Sequence, residues 1–387
     1  MNNLFLNRLL NKETIEVAKE FKIICVTGPR QSGKTTLCKL VFFDKPYVNL
    51  EDPDVLAEAV NQPKVFLQKF PNGAILDEVQ NVPVLFNYLQ GIVDKNGQNN
   101  QFVLSGSNNF LMQENISQSL AGRVAYIELL PFSLDELLRN NKTISLNKQL
   151  LEGSYPAIIT GRSSYKRWIE NYIKTYIERD VRQIRNIGNI LLFNKFLKIV
   201  AGRAAQLLNI SSIAKIIGVD VKTIDAWLSV LESSYIVFRL APYHPNFNKR
   251  VIKSSKIYFY DTGILCYLLG ILSIDGLKKS NYYGAIFENF IISEIQKNRK
   301  NKEQFGSIYF FRDSIGNEVD LLIEKENELL PIEIKSTNKI NKNDQKNIKW
   351  FQKVFRQEGG WIIYSGEEDY SYENGIEQLC WKNVREI

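Results

Sequence analysis

The chain has 387 residues, of which 44% are hydrophobic and 24% are charged. Domains average about 100–200 residues, so this length predicts two or three of them. The composition is that of a folded protein and excludes disorder as the dominant state. No apolar run reaches the roughly 18 residues of a membrane span, and charges interrupt the N-terminal leucines. We therefore expect no membrane segment and no secretory signal.

Cysteine and histidine usage restricts the chemistry. Cys25, Cys38, Cys266 and Cys380 are scattered without a C-x-x-C pair, which predicts a reducing cytoplasm and argues against a zinc cage. His244 is the single histidine, which argues against Ser–His triads and multi-histidine metal sites. An enzyme built on this chain would depend on carboxylates, Lys, Arg and magnesium. The net charge of +7 permits a polyanionic partner without requiring one.

The apolar pattern changes along the chain and predicts four segments. In residues 1–140, short apolar runs such as the strand at residues 22–27 alternate with helical patterns, which predicts a parallel α/β sheet. Residues 141–205 carry a 3.6-residue apolar period and predict a helical lid or connector. Residues 206–244 predict a winged helix, and residues 245–387 predict a helix with several β-branched strands.

A phosphate-binding pattern follows the first strand. The segment GPRQSGKT fits G-x-x-x-x-G-K-[ST], comes after an apolar strand and opens a helix. Its glycines let backbone N–H groups close around phosphate oxygens, and the helix start adds its dipole. Lys34 would place a cation on the phosphates, and Thr35 would give its hydroxyl to Mg²⁺. The alternative is a tight turn with a surface lysine. The predicted ATP-binding residues are Gly28, Pro29, Arg30, Gln31, Ser32, Gly33, Lys34, Thr35 and Thr36.

Two adjacent carboxylates end the next strong strand, AILDE. Asp77 at the strand tip would complete the Mg²⁺ shell with Thr35. Glu78 beside it would polarise an attacking water, which a site that only binds nucleotide would not need. The alternative is a pair of acids that cap a strand.

Further polar residues lie where they would contact a γ-phosphate. The predicted strand at residues 102–108 ends in small polar residues, and of Ser107 and Asn108 we favour Ser107 as the residue that senses the phosphate or orients the water; the alternative is an ordinary strand-to-turn transition. Arg123 follows a glycine turn and is a candidate finger or sensor, with a structural ion pair as the alternative. Arg179 is a weaker second candidate. A finger that serves a neighbouring subunit would require a homo-oligomer.

A helix–turn–helix pattern surrounds Gly218. Docking on DNA through the second helix is one interpretation, and a structural bridge is the other. The exposed positions of that helix carry two acids and one base, which match a phosphate backbone poorly. These positions are Lys222, Thr223, Asp225, Ser229 and Glu232.

A second group of carboxylates is predicted near the C-terminus. Glu288 lies on the apolar stripe of a helix, where an acid is costly unless it is paired. Asp320 lies on one hairpin strand, and Glu333 and Lys335 share a face of the next. This D…E-x-K pattern suits a Mg²⁺ site beside a phosphodiester, with Asp320 and Glu333 as metal ligands. The alternative is a salt-bridged hairpin on an inactive nuclease-like scaffold. Nearby basic residues, including Lys256, would track a phosphate backbone or lie in solvated loops.

Several motifs together resemble a known family. They are, in order, GPRQSGKTT, AILDEVQ, FVLSGSN, SLAGR, LLPFSLDEL, YIERDV, GNEVDLLIE and PIEIKS. They resemble bacterial and archaeal AAA+ ATPases whose C-terminal half is a domain of unknown function. The resemblance implies an α/β fold with a P-loop AAA+ core, a winged-helix segment and a C-terminal PD-(D/E)XK nuclease-like domain.

We therefore predict a cytoplasmic ATPase that uses ATP and Mg²⁺ and couples hydrolysis to binding or cutting nucleic acid, either DNA or RNA. The alternative is a nucleotide-controlled binding switch, in which an inactive nuclease-like scaffold engages DNA or a protein partner.

Overall fold

A computed structural model describes residues 6–107, 112, 116, 119–176, 189–244, 254–302, 304, 306–313, 315–325 and 328–387. The chain forms two compact units. The first comprises the described residues up to Phe132 together with Ser233–Tyr235, and the second comprises Ser133–Glu232 and Ile236–Ile387. No helix among these described residues has the length and apolar character that a membrane crossing requires.

The first unit is an α/β fold around a five-stranded sheet. The strand order is β2-β3-β4-β1-β5, and every pair is parallel, which confirms the predicted fold class. Its described elements are α1 (Leu10–Glu20), β1 (Ile23–Thr27), α2 (Lys34–Val41), β2 (Tyr47–Asn49), α3 (Pro53–Asn61), α4 (Pro63–Gln68), β3 (Ile75–Asp77), a 3₁₀ turn (Val79–Asn81), α5 (Val84–Asn96), β4 (Phe102–Gly106) and β5 (Val124–Glu128).

Both faces of this sheet are covered, which explains why its central strands are continuous apolar runs. Along β1, Ile23 and Cys25 pack in the core on one face, whereas Ile24 and Val26 pack in the core on the other. Because all strands are parallel, their carboxyl ends meet at one edge of the sheet, which is where open α/β sheets bind ligands.

The second unit begins with helices and ends in a mixed sheet. Its described elements are α6 (Leu134–Arg139), α7 (Leu146–Glu152), α8 (Pro156–Ile159), α9 (Tyr165–Tyr172), α10 (Ile190–Ala201), α11 (Ile210–Ile217), α12 (Val221–Ser233), β6 (Val237–Leu240), β7 (Lys256–Phe259), α13 (Thr262–Leu268), α14 (Ile274–Lys279), α15 (Tyr283–Asn301), β8 (Ile308–Arg312), β9 (Glu318–Lys325), β10 (Glu328–Lys335), a 3₁₀ turn (Lys342–Gln345), α16 (Lys346–Phe355), β11 (Gly360–Tyr364), β12 (Tyr370–Ser371), β13 (Ile376–Cys380) and a 3₁₀ turn (Trp381–Glu386).

The larger sheet of this unit has the order β12-β13-β11-β10-β9-β8. Strands β9 and β10 form the predicted antiparallel hairpin. On its other side, β10 pairs in parallel with β11. Helices α11 and α12 are joined at Gly218, whose φ of 86° is the left-handed conformation that ends α11. An antiparallel pair, β6 and β7, follows these helices. The division of this unit into lid, winged-helix and C-terminal domains stays a prediction.

All four cysteines are free and buried. Burial raises the pKa of the Cys38 thiol to about 12 and also raises the pKa of Cys25, Cys266 and Cys380. These thiols therefore stay protonated and unreactive at neutral pH.

Candidate functional site

The predicted phosphate-binding loop connects β1 to α2 at the carboxyl edge of the sheet. Gly28 has a φ of 143°, and a Cβ there would lie 2.2 Å from the carbonyl oxygen of Leu129. Gly33, just before α2, has a φ of 101°. Both positions therefore require glycine, one of them for space as well as backbone conformation.

Lys34 is buried and turned toward its own loop. Its Nζ donates hydrogen bonds to the carbonyl oxygens of Gly28 (3.0 Å) and Pro29 (2.9 Å). Burial lowers the pKa of Lys34, and the nearby charges of Glu78 and Asp77 oppose that change. The amine therefore lies inside the loop that would surround the phosphates.

Asp77 is the centre of a hydrogen-bonded group of oxygen atoms. Its Oδ2 accepts from Thr35 Oγ1 (2.8 Å) and from the Tyr47 hydroxyl (2.7 Å), and its Oδ1 accepts from Ser105 Oγ (2.5 Å). Carboxylate and hydroxyl oxygens are the ligands that Mg²⁺ prefers. The expected pair, Thr35 and Asp77, is thus within hydrogen-bonding distance.

Sequence reasoning did not find Tyr47 or Ser105. Ser105 is paired directly with Asp77 in the β3–β4 register, and Tyr47 starts β2, the other neighbour of β3. The order of the strands, which the sequence does not state, brings them to Asp77. For Ser105 the available signal was a polar residue one position before the end of an otherwise apolar strand.

Glu78 adopts a left-handed backbone conformation, with φ 55° and ψ 43°. Such a conformation costs a non-glycine residue about 1–3 kcal/mol and often marks a functional site. Its Oε2 accepts from Gln80 Nε2 (2.5 Å), Ser107 N (3.3 Å) and Ser107 Oγ (3.2 Å). The structure therefore brings Ser107 to Glu78, whereas Asn108 lies outside the described residues.

Arg123 lies at the opposite edge of the sheet from the loop. It immediately precedes β5. The first residue of β5, Val124, pairs with Ile23, which is the first residue of the parallel strand β1. Its Nε and Nη2 each lie 2.7 Å from an oxygen of Asp94. These contacts match the structural ion pair, the alternative that the sequence left open. A role of Arg123 toward a neighbouring chain stays a prediction, and Arg179 lies outside the described residues.

The surface of α12 is less acidic than its sequence indicates. Arg239 of β6 contacts Glu232 through Nε (2.7 Å) and lies 3.7 Å from a carboxylate oxygen of Asp225. The acids that match DNA poorly are therefore partly neutralised within the same unit.

The second predicted group lies on α15, β9 and β10. Asp320 Oδ2 accepts from the backbone N–H of Ile334 (2.8 Å). Glu333 Oε1 accepts from Lys335 Nζ (2.7 Å) and Asn347 Nδ2 (3.0 Å). Glu333 Oε2 is buried and has no hydrogen-bond partner within the part of the chain that the structure describes.

Lys256, the first residue of β7, lies among the remaining carboxylates. Its side chain is 3% exposed, and its Nζ is 3.1 Å from Glu288 Oε1, 2.6 Å from Glu318 Oε1 and 4.0 Å from Asp320 Oδ1. The Tyr258 hydroxyl also donates to Glu288 Oε1 (2.7 Å). The expectation that Lys256 tracks a phosphate backbone or is solvated is wrong. Lys256 is the buried cation that pairs with Glu288, the acid on the apolar stripe of α15.

Burial and mutual repulsion set the charges in this group. Burial, with the charge of Asp320, raises the pKa of Glu288 to about 7 and that of Glu333 to about 8. Burial would lower the pKa of Lys256, but Glu288, Asp320 and Glu318 outweigh it and raise the pKa. Across the described residues, no set of three or more His, Cys, Asp or Glu side chains is arranged to hold a metal ion. Metal binding by Asp320 and Glu333 stays a prediction.

Three family models match the chain in succession. An AAA domain matches residues 20–138, a domain of unknown function (DUF8612) matches residues 143–275, and a second domain of unknown function (DUF4143) matches residues 283–384.

Similar proteins occur in bacteria and archaea. An uncharacterized protein of Mycobacterium tuberculosis is 30% identical over 82% of this chain and 70% of its own length. An uncharacterized protein of Methanocaldococcus jannaschii is 25% identical over 89% of this chain and 84% of its own length. Among solved structures, the Walker-type ATPase PABY2304 of Pyrococcus abyssi is 15% identical, with a TM-score of 0.46 over 69% of this chain and 97% of that chain.

The 30% identity to the mycobacterial protein extends over more than two thirds of both chains. The AAA model covers the unit that holds the phosphate-binding loop, and the DUF4143 model covers the hairpin with Asp320 and Glu333. The chain therefore belongs to the family of proteins in which an AAA-type P-loop ATPase domain is followed by a C-terminal DUF4143 domain.

Proposed function

We propose that the first unit binds and hydrolyses ATP. The observation that carries this proposal is the meeting of the loop, Thr35, Asp77 and Glu78 at one edge of a parallel sheet. Thr35 and Asp77 offer hard oxygen atoms on adjoining elements and fit Mg²⁺, which they would hold with the phosphates of the nucleotide. Bound Mg²⁺ would neutralise phosphate charge.

The remaining residues have separate tasks in this proposal. The Lys34 amine leaves the carbonyl oxygens of Gly28 and Pro29 and donates to phosphate oxygens instead. Glu78 orients a water molecule and takes its proton while the water oxygen bonds to the γ-phosphorus. The bond from that phosphorus to the β–γ bridging oxygen breaks, and ADP and inorganic phosphate leave.

Replacing Lys34 by Ala should weaken nucleotide binding by roughly 10- to 150-fold, because hydrogen bonds to a charged group contribute about 1.5–3 kcal/mol. Titration of each protein with a fluorescent ATP analogue and Mg²⁺ measures the change. Lys64→Ala, which removes an exposed lysine of α4, is the matched control and should bind as wild type does. Equal affinities for Lys34→Ala and Lys64→Ala would contradict the proposed role of the loop.

We further propose that hydrolysis controls how the second unit engages nucleic acid or a protein. Two versions of this proposal differ in chemistry. Metal-dependent cleavage by Glu288, Asp320, Glu333 and Lys335 is supported by the buried, unpartnered Oε2 of Glu333 among the described residues. A non-cleaving, nuclease-like scaffold is supported by Lys256, whose ammonium already neutralises the neighbouring acids. We favour the scaffold, because a metal ion would have to displace a buried cation.

The scaffold predicts that Mn²⁺ will change the melting temperature of wild type and of Asp320→Ala by the same amount, since neither binds the ion in this group. Thermal melts with and without Mn²⁺, all without ATP, measure this difference. Glu377→Ala removes an exposed acid from the same sheet and controls for the change in net charge. A Mn²⁺ stabilisation that is present in wild type and Glu377→Ala but lost in Asp320→Ala would instead support cleavage.

A further inference from the structure

Gln80 lies two residues after Glu78 and is hydrogen-bonded to the Glu78 carboxylate. It lies in the 3₁₀ turn after β3, and its Nε2 donates to Glu78 Oε2 (2.5 Å). Of the described groups bonded to this oxygen, Gln80 makes the shortest contact, since both bonds from Ser107 exceed 3.1 Å. The Gln80 amide therefore fixes the direction of the Glu78 carboxylate.

The other end of the same amide is buried against β4. A Cβ added at Gly106 would lie 2.3 Å from Gln80 Oε1 and 3.1 Å from Met112 Sδ. The glycine in the sequence Ser-Gly-Ser therefore leaves room for this carbonyl group. Gln80 Oε1 is buried and accepts no hydrogen bond from any described residue. The carbonyl end of the amide is therefore held by packing, and the amide end is held by its hydrogen bond to Glu78.

These contacts hold the Gln80 amide between β4 and the carboxylate that the proposed hydrolysis requires. Glu78 has one oxygen held by Gln80 and Ser107, and its strained backbone directs the side chain to that position. A carboxylate whose direction is fixed can take a proton from the attacking water without first turning toward it.

We propose that Gln80 is a positioning residue for hydrolysis: its Nε2 fixes the Glu78 carboxylate, and its buried carbonyl group, packed beside Gly106, keeps the amide in that position. This inference rests on the proposed ATPase function. Gln80 neither gains nor loses a proton, because Glu78 takes the proton when the water oxygen bonds to the γ-phosphorus.

Gln80→Ala should slow ATP hydrolysis by roughly 10- to 100-fold, since misplacement of a reacting group by about 1 Å has effects of that size. Its affinity for ATP should stay at the wild-type value, because Gln80 contacts Glu78 and not the phosphate-binding loop. Radiolabelled ATP with excess full-length protein gives the single-turnover rate, and titration with a fluorescent ATP analogue gives the affinity. Gln68→Ala, at an exposed glutamine that ends α4, is the matched control.

Gly106→Ala disturbs the position of Gln80 Oε1 without changing Gln80 itself. The added methyl group must displace the Gln80 carbonyl, so this variant should also hydrolyse ATP more slowly with unchanged affinity. Because both substitutions act through Gln80, the double variant should be no slower than the slower single variant.

Three results would overturn the inference: a Gln80→Ala rate within twofold of Gln68→Ala, an affinity that falls as much as the rate, or single effects that multiply in the double variant. Failure of the ATPase proposal looks different. In that case wild type itself would not hydrolyse ATP, or Glu78→Gln would hydrolyse it at the wild-type rate.

Discussion

Glu78→Gln should bind ATP as tightly as wild type and hydrolyse it about 10²–10⁴-fold more slowly, which is the usual contribution of a general base. Glutamine has the same shape and keeps an oxygen that can accept from Gln80 and Ser107. It cannot take a proton from water. Steady-state release of phosphate measures turnover, and the affinity for a fluorescent ATP analogue shows that the site remains intact.

Glu20→Gln, which changes an exposed carboxylate at the end of α1, controls for the loss of one negative charge. It should hydrolyse ATP at the wild-type rate. If Glu78→Gln and Glu20→Gln have equal rates, Glu78 does not activate the water, although the loop and Asp77 would still account for nucleotide binding.

Lys256→Met should destabilise the second unit by about 3–5 kcal/mol, the usual result of removing one partner from a buried ion pair. The Lys256 side chain is 3% exposed, and without it Glu288 and Glu318 lose their shared cation. For a unit of this size, that loss corresponds to a fall in melting temperature of roughly 6–20 °C. Differential scanning calorimetry measures the transition, and Lys382→Met, which removes a lysine from the more exposed pair with Glu367, should change it far less.

A second substitution separates lost charge pairing from lost packing. Glu288→Gln added to Lys256→Met removes a buried carboxylate that no longer has a cation, so the double variant should be more stable than Lys256→Met alone. If the double variant is less stable by the sum of the two single effects, the Lys256–Glu288 pair does not stabilise the unit.

The residues that the sequence identified in the proposed nucleotide site are those whose chemistry is local. Thr35 lies inside a contiguous loop pattern, and Asp77 and Glu78 end an apolar strand, so a short stretch of sequence contains the signal. Tyr47 and Ser105 reach Asp77 only because β2 and β4 are the neighbours of β3. No short pattern records which strands are adjacent.

Two basic residues show why a charge in a sequence is ambiguous. Arg123 follows a glycine turn, as a finger would, but it precedes its strand and so lies at the amino edge of a parallel sheet. That position was available as a signal, because ligands bind at the carboxyl edge. Lys256 belongs to a basic stretch that is typical of solvated loops. Its burial depends on carboxylates 32 to 64 positions later in the chain, at Glu288 and Asp320.

The burial of all four cysteines has a practical consequence for studying the two units. Thiol-reactive dyes and spin labels attack exposed thiolates, and these thiols are neither exposed nor ionised at neutral pH. A single cysteine introduced at Phe43 in the first unit or at Ile315 in the second, both of which are more than four-fifths exposed, would therefore be the preferred site of attachment. The natural chain thus provides a background in which labelled pairs can report the distance between the units as nucleotide is added, without first replacing any cysteine.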